Sequence, residues 1–330
     1  MTLLHRLVVG TVLVTGFSTA SARAAEPDKL LPASSDSVLQ VNVRQILDSD
    51  ITKKYALEHL KQFLDGNDVK KVLTELGLDP LKDIDQLIMG GSGTNKGDAK
   101  VLFIAHGKFN VDKLSKAAEA QTKKDPDNYS KIKEGNTTIY KALFPNTDQP
   151  FYAAILDENT IVAATEKKMI TTAAKANDGN EPANIKGELA TLIKKFDSKS
   201  SVFAATIVKG KLDEVKIPGG GNLPVDLTAF QDLIPKIETL SFAVQVKSDV
   251  NVEITIGMKN ENAAGDFQSA FDEFMKQVKP LIQIAGAAEP RAKPVIDILG
   301  TIKSSTKNKD VIIVGKVTGA NIAKMVNPDD

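Results

Sequence analysis

The sequence predicts an α+β fold of antiparallel sheets covered by helices, built by internal duplication of a strand–helix–hairpin–helix–hairpin–helix unit. Three observations carry this expectation. Short apolar runs of strand character occur in adjacent pairs, segments of helical period separate the pairs, and the same order of segments recurs in the second half.

Ser37 to Val43 opens the folded part as a strand, with Val38, Leu39, Val41 and Val43 as its apolar residues. A helix with Ile51, Tyr55, Leu60 and Leu64 on one face follows. A second runs from Asp68 to Leu76 and stops at Gly77, with Pro80 just beyond. Ile84 to Met89 and Lys100 to His106 read as two strands joined by the polar, glycine-rich loop that begins at Gly90. Asn110 to Lys124 is an amphipathic helix carrying Val111, Leu114, Ala118 and Gln121 at helical spacing. Ile139 to Phe144 is a strand. Phe151 to Leu156 and Thr160 to Thr165 form a hairpin around Asp157-Glu158-Asn159, and Glu166 to Asn177 is the closing helix.

The second half repeats this programme. A shift of 153 residues lays Ile84-Asp85-Gln86-Leu87 on Ile237-Glu238-Thr239-Leu240, Val101 on Ile254, and Leu114 and Ala118 on Phe267 and Phe271. A shift of 164 pairs Ser37-Val38 with Ser201-Val202, and one of 150 lays the hairpin 151–164 on 301–314. The expected layout is a leading linker at 25–36, a first repeat at 37–177, a linker at 178–185 and a second repeat at 186–330. Two features belong to the second half alone. Gly219-Gly220-Gly221 lies in a loop between prolines, and Pro280 is expected to kink or break the helix that starts near Asn262.

Residues 1–24 carry an address. Arg6 supplies a positive start, Leu7 to Phe17 an apolar middle, and Ala22-Arg23-Ala24 a small-residue end, the three parts of a cleavable secretory signal with cleavage expected after Ala24. The apolar run falls well short of the roughly 20 residues that span a bilayer. The chain has no cysteine, which removes lipid acylation and disulfides together. The expected location is periplasmic or extracellular, without a transmembrane anchor.

Composition narrows the partners. Lys plus Arg and Asp plus Glu number 42 each, and of the four arginines only Arg44 and Arg291 lie beyond the leader. A near-neutral, lysine-based surface gives no electrostatic case for nucleic acid. The absence of tryptophan weighs against sugar-stacking platforms and aromatic-rich interface cores.

No constellation of chemical groups emerges, and no cofactor or metal is expected. His59 and His106 lie on different elements, short of the three or four ligands a zinc site needs. Asp79, Asp83 and Asp85 lack the spacing of a calcium loop, and Asp79 reads as a turn or helix cap. Gly90 to Gly97 contains Lys96 but leads into a strand, whereas a phosphate loop opens a helix. Ser130 with Lys133 and Ser304 with Lys307 match a serine–lysine spacing found in penicillin-recognising enzymes, yet neither has the companion Lys-Thr-Gly. Phe267, Phe271 and Phe274 form an apolar stripe. It reads either as a helix face packed on its sheet or as the wall of an apolar ligand or partner site.

The run Leu30-Leu31-Pro32-Ala33-Ser34-Ser35-Asp36-Ser37-Val38-Leu39-Gln40-Val41-Asn42-Val43 and the turn Gly77-Leu78-Asp79-Pro80-Leu81-Lys82-Asp83-Ile84 resemble exported bacterial proteins without an assigned activity. The likeness covers roughly residues 30–110 and implies export. The functional expectation is a non-catalytic exported protein acting through a binding or structural surface on a protein or apolar ligand. The alternatives are a hydrolase whose site forms only in three dimensions and a carrier of an apolar ligand.

Overall fold

A computed structural model describes residues 24–93, 99–144, 149–179, 185–215, 227–288 and 293–326. All of the leader but Ala24, the glycine loop 219–221 and most of the linker at 178–185 lie outside them.

The chain enters through residues 25–36, the expected linker, and this segment is packed rather than free. Ala25, Leu30 and Leu31 are buried, and Asp36 accepts a bond from Lys211. β1 (Ser37–Asn42) leads into α1 (Val43–Asp48), capped by Asn42, whose side chain accepts from the Gln45 N–H. A π-helical turn, Thr52–Ala56, joins it to α2 (Leu57–Leu64), and α3 (Asn67–Leu76) ends at Gly77 in the left-handed conformation, φ 63°. The short α4 (Pro80–Asp83) precedes the hairpin β2 (Ile84–Ser92) and β3 (Lys100–Gly107). Asn110 caps α5 (Val111–Lys124), donated to by the Lys113 N–H at 3.0 Å. β4 (Tyr129–Glu134), β5 (Thr137–Ala142), β6 (Phe151–Asp157) and β7 (Thr160–Ala164) follow as a meander, then α6 (Lys167–Asn177) and α7 (Gly187–Lys194).

β8 (Val202–Ile207) opens the second half. It continues through α8 (Thr228–Gln231), a 3₁₀ turn at Ile234–Lys236, β9 (Ile237–Val246), β10 (Val250–Met258), α9 (Glu261–Ala288), α10 (Lys293–Thr301), β11 (Lys303–Lys307), β12 (Asp310–Val317) and α11 (Gly319–Val326). Pro280, expected to kink or break its helix, lies inside α9, which runs through it as one helix of 28 residues and so is not broken there.

Among the described residues, the twelve strands form one antiparallel sheet, in the order β11-β12-β10-β9-β8-β1-β2-β3-β7-β6-β5-β4. The α+β class is as expected, but the halves share a sheet rather than owning one each. They meet at β1 and β8, where Leu39 stands opposite Ala204. Outward from that seam the pairing is regular: β1-β2-β3-β7-β6 on one side, β8-β9-β10-β12-β11 on the other, with β4 and β5 added to the first. A half-turn of the pairing diagram about the Leu39–Ala204 pair lays Met89 on Phe242, Phe103 on Ile254 and Ala163 on Ile313.

Two cores lie on opposite faces of this sheet. Directly paired residues project to the same side. Ile256 pairs with Leu240, Leu240 with Thr206 and Thr206 with Ser37, so the core containing Ile256, Met258 and Phe267 lies on the Ser37 side. Val38, one residue on, belongs to the other core, with Ile88, Leu102, Phe203, Leu30 and Leu31, under α6 and α7. Helices therefore cover both faces, each over a different part of the sheet.

Candidate functional site

The residues singled out by sequence fall into separate, locally satisfied settings. His59 is exposed on α2, whereas His106 on β3 shares a bond of 2.7 Å with Asp28. Asp79 caps α4 by accepting from the Leu81 N–H, Asp83 accepts from the Asp79 N–H, and Asp85 pairs with Arg44 at 3.1 Å. Among the described residues, no group of three or more His, Cys, Asp or Glu could hold a metal ion. Ser130 and Lys133 lie on β4 at an odd spacing, so they project to opposite faces. Ser304 on β11 donates to Asp272, with Lys307 three residues along the same strand. The glycine-rich loop lies outside the described residues at 94–98.

The phenylalanine stripe packs into the second core. Phe267 is buried there, and Phe271 packs against that core. Phe267 and Phe274 flank the ring of Phe230 edge-on, at 5.3 and 6.2 Å between centroids.

A different apolar surface is open. On the Ser37 side, one row of paired residues runs across eight strands: Ala163, Phe103, Met89, Leu39, Ala204, Phe242, Ile254 and Ile313. The neighbouring row carries Leu87, Val41, Val202, Val244 and Val252. Helices stand on this face toward both ends. α9 packs over β10, β12 and β11, and α5 reaches β4, where Glu119 pairs with Lys131. Between them no described helix covers the floor. Phe103 is 42% exposed, Leu87 40%, Ile254 38% and Phe242 36%.

Over the seam this face forms a trough of about 560 Å³ lined by Leu39, Met89, Ala204, Phe242 and Ile254 among others, while Leu87 and Phe103 lie on the face outside it. Among the described residues, none of those lining it is charged. At one end Ser37 Oγ and Thr206 Oγ1 lie 2.7 Å apart, and Ser37 can also donate to Asp36 at 3.3 Å. With Ser92 and Ser241, this pair supplies the polar side chains of a lining that is otherwise apolar.

A larger cavity, of about 890 Å³, lies on the opposite face around Lys194, Lys195, Lys303 and Lys316. Three of these lysines are already in ion pairs, with Glu26, Asp310 and Asp249 respectively. It is a wide groove bordered by charged residues, whereas the trough presents apolar surface that no described residue covers.

The sequence signal for the trough was there in a form that alternation alone does not decode. Ala-Ala-Thr-Ile in β8, Leu-Phe-Ile-Ala in β3 and Ser-Phe-Ala-Val in β9 place apolar residues on both faces of central strands. An antiparallel sheet with one face in water ordinarily alternates apolar with polar. Comparison with known proteins finds no matching family model, no matching curated protein and no matching solved structure.

Proposed function

We propose that this is an exported, non-catalytic binding protein whose ligand is an apolar molecule held in the trough over the β1–β8 seam. One observation carries the reading. Phe242 and Ile254, paired across β9 and β10, are each more than a third exposed in the trough, and none of its lining residues among those described is charged. Contiguous exposed apolar surface of this kind marks binding sites in soluble proteins, and a few hundred Å³ is the scale of a small-ligand site.

Strand addition is the competing use of an open sheet, and the edges oppose it. The edge strands β4 and β11 read Tyr-Ser-Lys-Ile-Lys-Glu and Lys-Ser-Ser-Thr-Lys, and charge on an edge disfavours pairing with another chain. The strand order on either side of the seam supports an origin by internal duplication, which would put the trough where the two copies meet. Export fits the leader. Cleavage after Ala24 would leave the new amino group on Ala25, whose nitrogen donates to the Phe196 carbonyl at 2.9 Å.

The test is uptake of an apolar fluorophore by the purified mature chain, compared with a Phe242→Asp variant. Saturable binding by the parent and its loss in the variant are expected. Equal signals from both, or none from the parent, would sink the reading, as would catalytic turnover that survives repurification.

A further inference from the structure

α9 changes character along its length. Its first part is held by the second core, with Ala263, Ala264, Phe267 and Met275 buried. Beyond Met275 none of its described residues is buried, although the helix runs on to Ala288, about 20 Å further. Residues three and four apart share a helix face, and one such stripe reads Asp266, Ala270, Glu273, Gln277, Leu281, Ile284. It is largely polar at first and turns apolar toward the far end. Leu281 is 37% exposed, and Ile284, at 71%, is the most exposed large hydrophobic residue among those described. α10 packs against α9 and adds Val295, 45% exposed.

The charge around this apolar end is one-sided. From Phe274 to Ile296 the sequence carries Lys276, Lys279, Arg291 and Lys293 against a single acid, Glu289, in a chain of zero net charge. Glu273, just before this stretch, pairs with Lys276 at 3.3 Å, and Asp297 follows it. Interfaces between proteins favour aromatic residues and disfavour lysine, whereas this patch is aliphatic and bordered by lysines. Aliphatic side chains sink to the headgroup boundary of a bilayer while lysines beside them reach its phosphates.

We infer that the α9–α10 end docks on an anionic lipid surface. Leu281, Ile284 and Val295 enter the headgroup boundary, and Lys276, Lys279 and Lys293 meet the lipid phosphates. Among the described residues no helix is long and apolar enough to cross a membrane, so this contact is peripheral. It is separate from the trough, and neither site needs the other.

Co-sedimentation of the mature full chain with two kinds of vesicle tests this: phosphatidylcholine mixed with phosphatidylglycerol, and phosphatidylcholine alone. The expected result is binding to the mixed vesicles, at least about tenfold weaker on phosphatidylcholine alone. Ile284→Asp should weaken binding at least about tenfold, because burying one isoleucine side chain is worth that factor. Phe63→Asp, at a phenylalanine on α2 that is 67% exposed, should leave it unchanged. An unchanged melting temperature verifies that each variant folds. No binding by the parent, equal binding to both vesicles, undiminished binding by Ile284→Asp or its loss in Phe63→Asp overturns the assignment. So does a dimer in solution that Ile284→Asp dissociates, which would give the patch to a second copy. None of these outcomes bears on the fluorophore test of the trough.

Discussion

A β-carbon on Gly90 would lie 2.3 Å from Cδ2 of Leu31, so this glycine in β2 is the seat on which the N-terminal segment rests. Leu31 is 1% exposed, and the adjoining segment is tied down by His106 on Asp28, by Lys211 on Asp36 and by the Asp36 N–H on the Gly91 carbonyl. Gly90→Ala should therefore push Leu31 from its place and cost about 1–3 kcal/mol, as overpacking does. Leu31→Ala should cost about 2–5 kcal/mol by leaving a cavity. Chemical denaturation of both variants measures this. A neutral Gly90→Ala would mean that the segment is not seated there.

The two faces of the seam should respond unequally to truncation. Phe203 on β8 is 1% exposed and stacks on Phe196 at 4.6 Å, so Phe203→Ala should cost about 3–5 kcal/mol. Phe242→Ser on the neighbouring strand removes a side chain that is 36% exposed in the trough, and it should cost about 1 kcal/mol or less. Melting curves of the two variants give the comparison, and similar losses would mean that the trough floor is part of the core.

Pro280 should be a local weak point. A proline inside a helix removes one hydrogen bond and crowds the carbonyl four residues earlier, here that of Lys276. Pro280→Ala restores the donor and should raise stability by up to about 3 kcal/mol, the cost usually assigned to such a proline. Hydrogen exchange around Lys276 should slow in the variant. Faster exchange would show that the proline's geometry is needed by its neighbours.

Acid should weaken the join between β9 and the rest of the second half through Glu238. Its carboxylate accepts from Lys309 at 2.8 Å and Lys209 at 2.9 Å, and these bonds hold its pKa below the usual range against the effect of burial. A carboxyl depressed in the folded state contributes fully above its unfolded pKa, and the contribution is lost as pH falls through the lower, folded value. Glu238→Gln should thus be less stable than the parent at neutral pH. The gap should close as the pH drops below about 4.3, the unperturbed value for glutamate. Melting temperatures across that range decide it, and a constant gap would contradict the assignment.

The hairpins and the helix ends were legible because their signals are local. Gly77 and Pro80 punctuate, Asn110 caps, and Asp157-Glu158-Asn159 turns within a few residues. The open face was not. Val38 and Leu39 are both apolar, and which of them is covered depends on Leu30, Leu31, α6 and α7, set by packing between distant segments. The phenylalanine stripe on α9 stood out for its period alone, and its ring of Phe267 meets Phe230 in the core. β4, with one partly buried isoleucine between lysines, offered no apolar run to recognise as a strand.

The seam also sets a problem in time. Among the described strands β1 comes first in the chain, and β8, its partner across the seam, follows only after β2 to β7. Until then β1 has a free edge reading Ser-Val-Leu-Gln-Val-Asn, without the lysines that guard β4 and β11 in the finished protein. An unguarded edge on a half-made chain invites pairing with another nascent copy. Residues 25–177 produced alone should therefore self-associate through β1, and Leu39→Lys should keep them dispersed, as light scattering would show.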